Sequence, residues 1–166
     1  MQDYKAINSK FSVAGALSDA GMEQAKKLGL STVINNLPDD EVVNGFTTDI
    51  ARAKAKSLGL NYHYLPVTGA SLNDQNNIDQ FKKIISKTNS PVLAHCKSGT
   101  RSAVLWGLAT SQSKNPSQVI DELAAAHFEF DFLEDEFEEQ REIGLARTII
   151  KTPAIYSNQM QNRACL

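Results

Sequence analysis

Short apolar, β-branched runs alternate with helical stretches along this chain, and glycine and proline mark the joints. Val33-Ile34 and Tyr62-His63-Tyr64-Leu65 are two such β-rich runs. Each follows a helical stretch that closes on Leu-Gly-Leu, at Leu28-Gly29-Leu30 and Leu58-Gly59-Leu60. A glycine there supplies the left-handed residue that ends a helix. Each run then meets Leu-Pro, at Leu37-Pro38 and Leu65-Pro66, and proline ends a strand because it cannot donate to the ladder. The repeated unit predicts consecutive strands of a mostly parallel sheet.

A third unit follows. Ser71-Leu72-Asn73-Asp74 reads as a capping box, and Ile78, Phe81 and Ile85 recur at helical spacing. Asn89-Ser90-Pro91 breaks that helix, and Pro91 to His95 reads as a short buried strand. Ala103 to Ala109 is apolar on every side, which predicts a buried central helix. Asn115-Pro116 opens another helix, with Val119, Ile120 and Leu123 on its inner face. Phe128 to Glu142 carries eight acids and one base, with Phe132, Leu133 and Phe137 available to one helical face. This predicts a terminal helix with a solvated acidic side; the sharper alternative is a docking surface for a basic partner. Residues 1–150 make one expected catalytic domain and 151–166 a polar tail.

Composition narrows the class. The chain has 166 residues, 42% hydrophobic and 22% charged, long enough for a core without staples. Its net charge is −2 with no basic stripe, which argues against a nucleic-acid partner. Two cysteines, Cys96 and Cys165, make neither a disulfide framework nor a four-ligand zinc site. With no apolar leader and no run long enough for a bilayer, the expectation is a reduced, cytoplasmic setting without membrane contact.

Candidate chemistry concentrates in His95-Cys96-Lys97-Ser98-Gly99-Thr100-Arg101-Ser102. A strand here runs into a cysteine, a Gly-containing loop and a helix, placing Cys96 at the carboxyl end of the sheet. Loop amides of Lys97, Ser98, Gly99 and Thr100 can converge on an anion, and the helix N-terminus adds partial positive charge. Arg101 offers a bidentate grip on a tetrahedral oxyanion. The same field favours a nucleophilic thiolate at Cys96. Lys97 adds charge, Ser102 is placed to donate to the thiolate, and His95 is expected to orient the loop by bonding its backbone. His63 and His127 read as structural.

The run resembles the His-Cys…Arg-Ser signature of cysteine-dependent protein tyrosine and dual-specificity phosphatases. With Phe11-Ser12-Val13-Ala14-Gly15, Gly29 to Pro38 and Leu65-Pro66-Val67-Thr68-Gly69, the chain more closely resembles the bacterial beta-lactamase-hydrolase-like phosphatase domain, DUF442, over roughly residues 5 to 130. The resemblance implies an α/β, protein-tyrosine-phosphatase-like fold: a mostly parallel sheet flanked by helices, with the Cys-loop between a strand end and the central helix. It also implies a cysteinyl-phosphate intermediate, no cofactor and no metal.

Two departures qualify that reading. Superfamily phosphatases place five residues between Cys and Arg, whereas four stand here, a spacing similar to that of rhodanese-type sulfurtransferases. The window that holds the general acid in dual-specificity relatives, about 30 residues before the cysteine, reads Tyr64 to Ala70 and has no carboxylate. Asp74 is the nearest candidate acid, with helix capping as its other role; Asp39, Asp40 and Glu41 follow another strand end and could reach over the site. Three functions follow in order: hydrolysis of phosphomonoesters, phosphotyrosine or other aryl phosphates among them; sulfur transfer through a Cys96 persulfide; and non-enzymatic anion binding. The corresponding partners are a small phosphorylated or sulfur-donor molecule, or a phosphoprotein.

Overall fold

The computed structural model describes residues 1–151. Five strands form one sheet in the order β1-β2-β5-β3-β4: β1 (Lys5–Asn8), β2 (Phe11–Ala14), β3 (Thr32–Asn35), β4 (Asn61–Tyr64) and β5 (Val92–His95). Only the β1–β2 hairpin is antiparallel; β2–β5, β5–β3 and β3–β4 run parallel. The carboxyl ends of β2, β3 and β5 therefore share one edge, with Ala14 and Asn35 both paired to His95.

Six α-helices cover the sheet: α1 (Asp19–Lys27), α2 (Thr48–Leu58), α3 (Gln75–Lys87), α4 (Thr100–Ser111), α5 (Pro116–Ala125) and α6 (Glu134–Lys151). Alternation along β5 divides them. Val92 and Ala94 join Phe81, Leu105, Leu123 and Phe137 in one core, while Leu93 joins Met22, Ala25 and Ala55 in the other. Helices α3 to α6 thus lie on one face, α1 and α2 on the opposite one. The apolar segment Ala103 to Ala109 is the centre of α4, and every residue from Ser102 to Ala109 is buried. Gly29 and Gly59 both take positive φ at the predicted helix ends.

Several expectations change. The β1–β2 hairpin follows no clear alternation and escapes a periodicity reading. The α3 cap is Asp74, whose carboxylate accepts from the Asn76 amide, and not Ser71, which closes a turn on Thr68 instead. Phe137 is buried, but Phe132 precedes α6 in a single 3-10 turn and is 75% exposed, stacked edge-on against Phe130. Three residues of 3-10 helix do not keep the 3.6-residue face that the pattern assumed. The eight acids from Glu129 to Glu142 make no ion pair among the described residues. No helix among them is long and apolar enough to cross a membrane. The expected tail and Cys165 lie outside the described residues.

Candidate active site

The Cys-loop occupies the shared carboxyl edge. Cys96 leaves β5 and is buried, and its amide donates to the Ala14 carbonyl at 3.4 Å. The chain then turns through Lys97 and Ser98 into Gly99, the N-cap of α4, at φ +88°. That conformation is strained for any residue with a side chain, and a Cβ there would press to 3.4 Å from the Ala14 oxygen. The turn aims the Gly99 amide back at the sulfur, donating to Sγ at 3.2 Å. Among the described residues, the amides of Lys97, Ser98, Thr100, Arg101 and Ser102 meet no acceptor. Unsatisfied amides at a loop and a helix start are the donors on which an anion cradle draws. Ser98 and Thr100 hydroxyls pair at 3.2 Å on its exposed rim.

Arg101 is held from two sides. Its NH1 donates to Glu41 Oε1 at 2.9 Å and to the Val67 carbonyl at 2.7 Å, and its NH2 donates to Glu41 Oε2 at 2.6 Å. Glu41 thus takes the NH1/NH2 edge of the guanidinium. The Cys96 side chain lies close enough to act on the same guanidinium. The pair shows in its ionisation. Its hydrogen bonds to Glu41 hold Arg101 above the usual guanidinium range; burial opposes this and Cys96 adds to it. The same hydrogen bond holds Glu41 below the usual carboxylate range, burial opposes, and Lys97 adds to the effect. Glu41 is therefore a carboxylate and not a proton donor as it stands.

The other candidate acids are committed or remote. Asp74 caps α3, Asp39 accepts from the Thr48 amide at 2.9 Å, and Asp40 is exposed beside it. Of the three carboxylates after Leu37-Pro38, only Glu41 touches the loop residues.

Two sequence expectations are corrected. Ser102 does not donate to Cys96; it donates to Asn36 Oδ1 at 2.9 Å. Asn36 Nδ2 faces the Leu65 carbonyl at 2.9 Å, an acceptor only, so Oδ1 must face Ser102 and take its proton. His95 does not bond the loop through its ring: neither ring nitrogen has a partner among the described residues, and burial drives its pKa down to about 3. The ring is a neutral packed group. Its main chain does the orienting, with the His95 carbonyl accepting from the Asn36 amide at 2.8 Å.

Asn36 is the residue that sequence reading missed. It is fully buried and links β5, α4 and the end of β4, and its carbonyl accepts from the amide of Val67, whose own carbonyl takes the Arg101 contact. Its signal was an amide side chain inside a buried strand end, a group that burial obliges to find partners.

The family model described as beta-lactamase hydrolase-like protein, phosphatase-like domain, matches residues 3–113. The chain belongs to this family. A beta-lactamase hydrolase-like protein of Xylella fastidiosa is 34% identical over 103 residues, 62% of this chain and 24% of that protein. The chain thus spans about a quarter of the length of the curated relatives it matches. A candidate phosphatase (nma1982) from Neisseria meningitidis Z2491 superposes with a TM-score of 0.69 at 25% identity, covering 85% of this chain and all of that one. The phosphatase PTPMT1 reaches 0.68 at 16% identity, over 89% of this chain and 99% of that one, a likeness of fold. Family and fold together make this a phosphatase-type domain with a mostly parallel protein-tyrosine-phosphatase sheet. The matched region spans the hairpin, all five strands and α4, and stops before α5 and α6.

Proposed function

We propose that this domain hydrolyses phosphomonoesters through Cys96, with aryl phosphates, phosphotyrosine among them, as its favoured class. The observation that carries the reading is the convergence of three things at one strand end: a sulfur met by the Gly99 amide, loop amides without an acceptor among the described residues, and an arginine fixed by Glu41 beside the sulfur. A phosphoryl group in the cradle presents phosphorus to Sγ while amides and Arg101 hold its equatorial oxygens. The sulfur lone pair forms the S–P bond as the ester P–O bond breaks, and the alcohol leaves with the bonding electrons. Water then attacks phosphorus, the S–P bond breaks, and orthophosphate and the thiolate are regenerated. Glu41 orients Arg101 and supplies no proton. With no protonated carboxyl at the leaving group, phenols depart readily and alkyl alcohols slowly.

The four-residue spacing from Cys96 to Arg101 supports a second chemistry, transfer of sulfane sulfur through a Cys96 persulfide. Parallel assays of the full chain with p-nitrophenyl phosphate and with thiosulfate plus an acceptor thiol separate the two. The expected result is aryl phosphate turnover, abolished in Cys96→Ser, with no gain of a sulfur mass on Cys96 after thiosulfate. A persulfide without aryl phosphatase activity overturns the phosphatase reading. Full activity in Cys96→Ser overturns both.

A further inference from the structure

The inner face of α6 changes character along its length. Phe137, Gln140 and Gly144 are buried against the body. Gly144 lies so close to the end of α4 that a Cβ there would fall 1.8 Å from the Gln112 carbonyl oxygen. The same stripe continues, by helical steps of three and four, to Arg147 and Lys151. Every described residue from Leu145 onward is exposed. A face built only to pack would continue apolar; this one turns cationic where it borders a recess of ≈430 Å³.

Lys82 of α3 enters that recess from the other side, and Arg141 from the flank of α6. Among the described residues no carboxylate lines it. Arg147 has a partner outside the lining, Asp79, through a fork of 2.7 and 2.9 Å. Lys82, Arg141 and Lys151 have no ion pair among the described residues. The crowding shows at Lys82, which is held below the usual lysine range. Burial is the largest cause, repulsion from Arg147, Lys151 and Arg141 adds to it, and Asp79 opposes. A helix dipole accounts for cations in the last turn of α6. It does not account for a lysine in the middle of α3 facing them.

We propose that this recess binds a small polyanion bearing two or more adjacent phosphate- or sulfate-type groups. Several convergent cations around one concavity match several negative groups, and the volume exceeds what one tetrahedral anion fills. The recess sits at the C-terminal end of α4, while the Cys-loop opens at its N-terminus. Twelve helical residues at ~1.5 Å each put the two about 18 Å apart, so the recess is a separate site.

Inorganic tripolyphosphate is the probe, titrated calorimetrically into the full chain carrying Arg101→Met so that the Cys-loop does not compete. Binding is expected to persist in that variant, to exceed that of orthophosphate, and to weaken by about tenfold or more when Lys82→Gln and Lys151→Gln are added. Lys82→Arg with Lys151→Arg should retain it. With Arg101 restored, the two glutamine substitutions should leave p-nitrophenyl phosphate turnover unchanged. Lys82 is half-buried and Lys151 exposed, and a melting curve verifies the fold. Loss of all binding with Arg101→Met alone, or equal affinity with and without the lysine charges, overturns the proposal.

Discussion

Arg101 and Glu41 define what a single side chain contributes here. An unpaired arginine swings on three or four torsions; a carboxylate on one edge fixes the plane and leaves the other edge aimed. Replacing Glu41 by Gln keeps a similar shape but removes the charge and one acceptor oxygen. Aryl phosphate kcat should fall by about ten- to a hundredfold, the scale of a lost charge-assisted hydrogen bond. Steady-state kinetics of Glu41→Gln check this; an unchanged kcat would mean that the Val67 carbonyl alone positions the guanidinium. The residues of the loop were legible in the sequence because cysteine, glycine and arginine each have a distinct physical role at a strand-to-helix turn. The partners of those residues were not. Glu41 stood among three adjacent carboxylates, and only the path of the chain after Pro38 selects it. Asn36 and the true acceptor of the Ser102 proton depend on where β3 ends relative to α4, which no local pattern encodes.

Among elements, α6 is tied down by polar groups as much as by Phe137. Asp79 accepts from Gln75, Gln112 and Arg147, and Gln140 bonds both Gln75 and Gln112, so one network pins α3, α4 and α6 together. The hydrogen bond from Arg147 is the main cause that holds the Asp79 pKa down at about 2, below an ordinary 3.8. A depressed carboxyl stabilises the fold above its unfolded pKa, and that contribution is lost as pH falls through the folded one. The loss should run from about pH 4 down to about pH 2, and it is modest because the pair is partly exposed. Thermal melts of Asp79→Asn should show a Tm about 2–4 °C lower at pH 7 and a flatter acid limb than the natural chain. An identical acid limb would assign it to other carboxylates. Most elements were readable because glycine, proline and capping residues bracket them. The hairpin was not, since Lys5–Asn8 and Phe11–Ala14 are four residues each and β2, buried along its whole length, shows no alternation.

For the whole molecule, charge and topology are arranged around α4. The chain is slightly acidic overall, yet Lys82, Arg141, Arg147 and Lys151 gather around a recess at one end of this helix and the Cys-loop opens at the other. The parallel sheet was legible as a repeat, but the position of β5 was not, because strand order is set by which faces bury and not by sequence order. That order has a kinetic consequence. The last of the described strands sits in the middle of the sheet, wedged between two that precede it, and Ser12 reaches across eighty positions to the Val92 carbonyl. Helices α1 to α3 can form from local contacts, whereas the cradle requires two long chain closures around β5. On dilution from denaturant, far-UV circular dichroism should therefore recover ahead of aryl phosphate turnover. Simultaneous recovery would mean that the sheet centre sets as early as the helices. A chain interrupted between β4 and α3 would leave Asn36 and Glu41 on one piece and Cys96 and Arg101 on the other, so the proposed reactive centre is indivisible: it comes into being only with β5.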